Sequence, residues 1–197
     1  MISGLFNSCH ILSSAYMIWI MYDELVWKLI EMADKRRDIR QGANLFHQDD
    51  QIRSLFVVEQ GLVELTRHQI DGTSIVLQRA AKQTVLAEAS MYSKSYHCDA
   101  AVALPSRICE IPKVSFLERI RKDEAFSNHW SAHLAKEVQA ARYRSEILSR
   151  KTVAERLDGW LTWQGAELPS KGHWKSVAAQ IGVSPEAFYR ELAKRRD

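Results

Sequence analysis

The hydrophobic period of this chain changes along its length, and each change predicts a different kind of element. In residues 23–33, Leu25, Leu29, Ile30 and Ala33 recur at helical spacing and predict an amphipathic helix. From Arg36 to Ile111 that spacing disappears. Short apolar runs replace it at 43–46, 54–58, 62–66, 74–77, 84–86, 100–103 and 107–111. Gly42, Asp49-Asp50, Gly61, Asp71-Gly72 and Pro105 punctuate them. Asp71-Gly72 is a hairpin signal, because the favoured two-residue turns need positive φ. Seven or eight short strands predict a small antiparallel barrel or sandwich.

Helical spacing returns at Pro112, which opens a helical stretch, and a longer helix is predicted over about 124–149. Leu134, Val138, Ala141, Ser145 and Leu148 follow one another at four, three, four and three residues. That is a heptad seam, long enough for the helix to pair with a copy of itself, and the small Ala141 and Ser145 allow close approach. Packing on the chain's own barrel would use the same stripe, and the two uses can occupy different faces; a parallel homodimer is the expectation. Thr152 caps a further helix over 153–163, with Leu157, Trp160 and Leu161 inward, and Glu155 completes a capping box. Gln164-Gly165 ends it, and residues 167–170 read as a short extended piece.

Residues 174–195 hold two short helical patterns around a tight turn. Val177, Ala178 and Ile181 share the first face. Gly182 ends that helix, since it takes the left-handed conformation without a Cβ clash. Ser184 is a good N-cap, and Pro185 stands at the first helical position, where its missing N–H costs nothing. Phe188 and Leu192 face inward, which leaves Glu186, Tyr189, Arg190 and Lys194 outward. This is a helix-turn-helix whose second helix is built to lie in the DNA major groove. An ordinary helical hairpin has the same pattern, and what precedes it in the chain favours the DNA reading.

Composition adds two points. The 197 residues are 46% hydrophobic and 26% charged, ordinary for a folded soluble protein. The formal net charge of +3 lies wholly in the segment from Arg150 onward, so a neutral body precedes a basic end, as suits a sensor joined to a DNA reader. Residues 1–22 contain the run Met17-Ile18-Trp19-Ile20-Met21, too short to span a bilayer and not preceded by Lys or Arg. A packed or irregular N-terminal helix is expected there, with membrane-surface contact as the alternative. Cys9, Cys98 and Cys109 have no framework spacing, which points to a reducing, cytosolic setting.

Three stretches, in this order, resemble the Crp–Fnr family of bacterial transcription regulators: 38–50 (Asp-Ile-Arg-Gln-Gly-Ala-Asn-Leu-Phe-His-Gln-Asp-Asp), 54–65 (Ser-Leu-Phe-Val-Val-Glu-Gln-Gly-Leu-Val-Glu-Leu), and 86–92 followed by 97–103. With the helix-turn-helix, the resemblance covers about residues 23–195. It implies an α+β chain: an N-terminal antiparallel β-roll, jelly-roll-like, over 1–122; a dimerisation helix over 123–149; and a winged-helix-like helix-turn-helix domain over 150–197. The family usually continues into a β-hairpin wing, most of which is lacking where this chain stops, and Lys194, Arg195 and Arg196 are expected to compensate by non-specific attraction to DNA.

The last β-roll stretch falls where the family has its cyclic-nucleotide phosphate cassette. Ala87-Glu88-Ala89 keeps the carboxylate of the family's turn, but the family's Arg-Ser positions fall on Cys98 and Asp99. Loss of the bidentate arginine removes the main contact to the phosphate, and Asp99 would repel it. Cyclic AMP or GMP binding in the family manner is therefore disfavoured, and no cofactor is predicted. Glu88, Ala89, Ser90, Cys98 and Asp99 are the candidate effector pocket, with Glu88 alternatively structural, accepting backbone N–H groups at the turn. Three scattered cysteines do not supply the four of an iron–sulfur cluster. Haem ligation by His97 and Cys98 is disfavoured because adjacent strand residues point to opposite faces. A redox thiol at Cys98 or Cys109 is weighed against a buried small hydrophobe, and the second is preferred.

By position in the family, Lys175, Ser184, Pro185, Glu186, Tyr189 and Arg190 are the DNA-contacting candidates. Glu186 can accept from a cytosine amino group and Arg190 can donate a fork to guanine. The implied function is a homodimeric, sequence-specific DNA-binding transcription regulator in the bacterial cytoplasm. Its implied partners are double-stranded DNA, a second copy of itself, RNA polymerase and a small-molecule effector of unknown identity, with no membrane. The alternative is a β-roll protein-interaction module whose DNA binding is weakened by the short C-terminus. An enzyme is not expected: no metal set, phosphate loop or Ser–His–Asp arrangement is evident, and Glu88, His97 and Asp99 form the one polar cluster.

Overall fold

The computed structural model describes residues 24–70, 74–164 and 167–196. The expected N-terminal helix over 1–22, the Asp71-Gly72 turn and Gly165 lie outside the described residues. The chain divides into two units, Met1–His133 and Leu134–Asp197.

The first unit contains an antiparallel sheet of six strands: β1 (Lys35–Ile39), β2 (Asn44–Phe46), β3 (Ser54–His68), β4 (Ser74–Ala80), β5 (Thr84–Leu86) and β6 (Asp99–Pro112). Its order is β1-β6-β3-β4, with β2 also on β6 and β5 also on β3. The spine is the long β3–β6 pair, in register from Ser54↔Pro112 to Thr66↔Asp99. Gly61 and Pro105 do not separate strands as expected. They lie opposite each other where the register slips between Val58 and Val63, and pairing resumes beyond. Gly61 makes this possible at φ +92°, because a Cβ there would overlap Ser106 Oγ and the Pro105 carbonyl. The buried Ser106 hydroxyl donates to the Leu104 carbonyl at 2.6 Å and accepts the Leu62 N–H at 3.0 Å, which closes the irregularity. Two pairs of expected short strands are thus two long ones.

Strand β1 has no alternating pattern, and the hydrophobic reading missed it. Its pairing to β6 runs from Lys35↔Glu110 to Ile39↔Ser106, and Arg107 grips Asp38 at 2.8 Å. Inside the roll, Phe46 stacks on Tyr96 (centroids 3.8 Å apart) and on Phe56 (5.6 Å), among Val58, Val63, Leu65, Leu86, Ala100, Val102 and Ile108.

Helix α1, described over residues 24–31, buries Leu25, Val26 and Leu29, while Ile30 and Ala33 are half-buried. Helix α2 (Lys113–Lys122) follows β6 directly, with Pro112 at its N-cap position. Helix α3 (Glu124–Ser149) starts where the Asp123 carboxylate accepts the Phe126 N–H at 2.9 Å. Phe116 packs edge-on against Phe126 and Trp130.

In the second unit, α4 (Val153–Gln164), α5 (Trp174–Gln180) and α6 (Pro185–Lys194) pack around Leu157, Trp160, Val177, Ala178, Ile181, Phe188 and Leu192, with Ile147 of α3. The capping box forms: Glu155 N–H donates to Thr152 Oγ1 at 3.1 Å, and Thr152 N–H donates to Glu155 Oε2 at 2.9 Å. Arg156 fixes the turn between α5 and α6, donating to the Ile181 and Gly182 carbonyls at 3.2 and 3.1 Å. Along α3, Leu134 is half-buried, and Val138, Ala141, Ser145 and Leu148 are exposed on the single chain. No helix among the described residues is long and apolar enough to cross a membrane.

Candidate nucleic-acid interface and effector pocket

The turn before α6 is built as its sequence dictates. Gly182 takes φ +65°, and the Ser184 hydroxyl accepts the Ala187 N–H at 3.2 Å. Phe188 and Leu192 enter the core, so Ser184, Glu186, Tyr189 and Arg190 are exposed and Pro185 is half-buried. The Glu186 carboxyl is held below the usual carboxylate range by its own backbone N–H, then by the Ser184 hydroxyl, with the nearby Lys175 adding to the effect. It is therefore an acceptor at neutral pH. Lys175 is exposed near the start of α5. Trp174 donates its indole N–H to the Pro169 carbonyl at 2.9 Å and carries Tyr189 on its ring at 5.9 Å.

The basic residues at the end of α6 divide into two kinds. Arg195 is committed to the fold: it donates to Asp158 Oδ1 at 2.6 Å, to Glu191 Oε1 at 2.9 Å and to the Ala154 carbonyl at 3.0 Å. Arg196 lies over the Trp174 ring at 5.8 Å. Of the basic residues 194–196, Arg195 is thus ion-paired within the fold, while Arg196 keeps its charge over an aromatic ring. Arg190 and Lys194 have no ion-pair partner among the described residues. Together with Thr152, Val153 and Ala154 at the start of α4, and with Ala187 and the Arg195-paired Glu191, they line a groove of about 400 Å³.

In the β-roll, Ala87 takes the left-handed conformation at φ +71° and starts a 3-10 turn, Glu88–Ser90. A left-handed Ala costs roughly 1–2 kcal/mol, so the turn imposes this conformation on a residue that does not favour it. Ser90 is buried, and its Oγ lies 2.7 Å from His97 Nδ1; Ala89 is exposed. Burial, then the charge of Arg67, lowers the His97 imidazole pKa and favours the neutral ring. Cys98 is 1% exposed and faces the core. Burial pushes its thiol up to about 11, with smaller upward contributions from Asp99 and Glu88. Burial, then Glu59, also raises Cys109. Both thiols are thus held protonated and unreactive.

Asp99 is the first residue of β6, directly after the buried Cys98. Its carboxylate accepts the Gln48 N–H at 2.9 Å and has His47 Nδ1 at 3.3 Å and His68 Nε2 at 3.6 Å. These contacts hold the Asp99 carboxylate, while its charge still adds to the raised pKa of the Cys98 thiol. Among the described residues no three His, Cys, Asp or Glu side chains group as metal ligands. The sequence reading missed Arg67, whose Nη2 and Nε donate to the His97 carbonyl at 2.7 and 3.2 Å. The apolar run ends at Thr66, yet the strand continues to His68. The one available signal was the parity of Val63 and Leu65, which Arg67 continues.

Residues 36–123 match the cyclic nucleotide-binding domain family. No curated protein sequence matches the chain. Among solved structures, the c-di-GMP-responsive global regulator CLP of Xanthomonas campestris superposes with a TM-score of 0.65 at 16% identity, over 88% of this chain and 91% of that one. FixK2 of Bradyrhizobium japonicum gives 0.68 at 17% identity, over 81% and 83%. The catabolite activator protein of Thermus thermophilus gives 0.52 at 21% identity, over 94% and 84%. Residues 36–123 thus match the cyclic nucleotide-binding domain family as a β-roll, and the chain has the fold seen in the Crp–Fnr-type transcription regulators.

Proposed function

We propose that this chain is a homodimeric, sequence-specific DNA-binding transcription regulator. The outward face of α6 carries the reading. Glu186 is kept ionised at the start of the helix, and Arg190, one turn on, has no ion-pair partner among the described residues. An ionised carboxylate and an uncommitted guanidinium on one helical face suit acceptance from cytosine and donation to guanine in a major groove. Lys175, Ser184, Pro185 and Tyr189 flank them, and Arg190 and Lys194 line the groove beside α4, where a DNA backbone phosphate would be attracted. The exposed stripe Val138, Ala141, Ser145 and Leu148 supplies the dimer seam that two recognition helices need. The β-roll is then the effector-binding unit. Cys98, buried and protonated, does not supply the family's arginine contact to a cyclic phosphate. RNA polymerase is the further partner in this reading, and the cytoplasm its setting.

Selection of bound sequences from a random DNA pool at moderate salt tests the proposal. The expected product is a two-fold symmetric site with half-sites about one helical turn apart. Arg190→Ala should relax the preference at one G·C pair per half-site, by about 1–3 kcal/mol. Failure to enrich any symmetric site would refute it, and an unchanged selection with Arg190→Ala would remove Arg190 from the reading.

A further inference from the structure

The start of β3 and the end of β6 carry polar side chains into the apolar interior of the roll. Glu110 pairs with Phe56, and Ile108 pairs with Val58. Phe56, Val58 and Ile108 all belong to the core. Directly paired residues, and those two apart on one strand, share a face of the sheet, so the Glu110 carboxylate is carried inward with them. Its side chain is only 18% exposed and accepts from the Ser54 hydroxyl at 2.9 Å. Beside it opens a cavity of about 290 Å³, lined by the buried rings of Phe46, Phe56 and Tyr96 and by Asp50, Arg53 and Glu110. None of the candidate effector residues at 88–90, 98 and 99 lines it. The walls are already tied together. Tyr96 donates its hydroxyl to the Ser54 carbonyl at 2.9 Å and its N–H to the Asp50 carbonyl at 3.0 Å. Asp50 Oδ2 accepts the His47 N–H at 2.8 Å. Glu110 is met by Arg37 at 3.6 Å. Arg53 and Asp50 have no ion-pair partner among the described residues, although both are exposed at the border of one cavity. Opposite charges thus stand apart around an apolar floor.

We infer that this cavity binds a small zwitterion with an apolar body, namely an apolar α-amino acid. Its carboxylate is held by Arg53, its ammonium by Asp50 and Glu110, and its side chain by the rings of Phe46, Phe56 and Tyr96. This names a ligand class and rests on the β-roll being the effector-binding unit. The guanidinium offers a fork that matches a planar carboxylate. A simple amine would leave Arg53 unused, and a simple acid would bring its charge against Asp50 and Glu110. A molecule with both charges satisfies all three groups, and that difference is the source of its selectivity. The volume lies at the lower end of the range for small-molecule pockets, about 300–1,000 Å³, which limits the ligand to the size of a single amino acid. The mouth of a closed sheet is a usual place for such a site.

Isothermal titration of the full-length protein with L-leucine and L-phenylalanine tests this. Each is run beside its one-charge analogues: isocaproate and isoamylamine for leucine, phenylpropionate and phenethylamine for phenylalanine. At least one amino acid should bind, and its two analogues should bind at least tenfold more weakly. Arg53→Gln and Asp50→Asn should each weaken amino-acid binding tenfold or more. Both side chains are exposed, so the unfolding midpoints of these variants should match the parent's. Lys82→Gln, an exposed charge of the same roll outside the cavity, should leave binding unchanged. An amine bound as tightly as its amino acid would make this a cation site and overturn the inference. So would an acid bound as tightly, binding that survives Arg53→Gln, or no binding of either amino acid at millimolar concentration. DNA selection is read separately: a symmetric site from a protein that binds neither amino acid refutes the cavity's role and leaves the regulator standing.

Discussion

Cys98 shows how burial decides chemistry at a single residue. Its thiol is raised from the ordinary 9.0 to about 11, chiefly by desolvation. As pH rises, the unfolded chain loses this proton first, so the unfolded state binds fewer protons and stability falls with pH. The stabilisation is fully present below pH 9 and is lost through about pH 11. Urea midpoints measured from pH 8 to 11 should decline, and Cys98→Ala should flatten part of that decline, the remainder including Cys109. A slope unaltered by the substitution would show that the thiol titrates normally in the folded state. Alkylation at neutral pH should likewise proceed only through opening of the roll, since the closed form offers almost no thiolate.

Among the elements, the β3–β6 ribbon depends most on one position. Gly61 and Gly42 both have positive φ, +92° and +81°, but a Cβ at Gly42 would meet nothing within 4 Å. Gly42→Ala should therefore cost only the backbone strain, about 1 kcal/mol, while Gly61→Ala adds overlap with the facing strand and should cost about 3 kcal/mol or more. Equal losses in urea denaturation would show that the ribbon shifts freely at its irregularity. The same ribbon marks where the sequence stopped being legible. The helical second unit was readable almost residue by residue, because caps such as Thr152, Glu155 and Ser184 and the stop at Gly182 act within four residues of themselves. The strands are defined by their partners. β1, Arg67 and His68 are strand because β6 or β4 pairs with them, and nothing in their own polarity says so. The same holds beside the candidate pocket: Arg67, whose guanidinium donates to the His97 carbonyl, sits in a polar strand end that the hydrophobic pattern does not mark.

At the scale of the whole molecule, the charge of the chain and its exposed apolar stripe serve different ends. The net charge of +3 belongs to the segment that carries the proposed DNA face. The apolar stripe is on α3, where Val138 is 49% exposed and Leu148 is 40% exposed. Leu148 also reaches the Gly182 turn, so Val138 is the cleaner probe of self-association. Val138→Glu should leave the unfolding midpoint of each unit within experimental error and convert the proposed dimer to monomer in sedimentation equilibrium at micromolar concentration. An unchanged dimer would put the interface elsewhere. If the dimer is lost, affinity for a two-fold DNA site should fall with it, since each half-site then binds alone.

The charged strand β1 has a further consequence. Among the described residues it forms one border of the sheet, and Lys35, Arg36, Arg37 and Asp38 are all exposed there. A border strand offers unpaired backbone groups to any other chain, and charge along it makes such an approach unfavourable. The residues that kept β1 out of the hydrophobic pattern are therefore the same ones that guard the protein against edge-to-edge aggregation in a crowded cell.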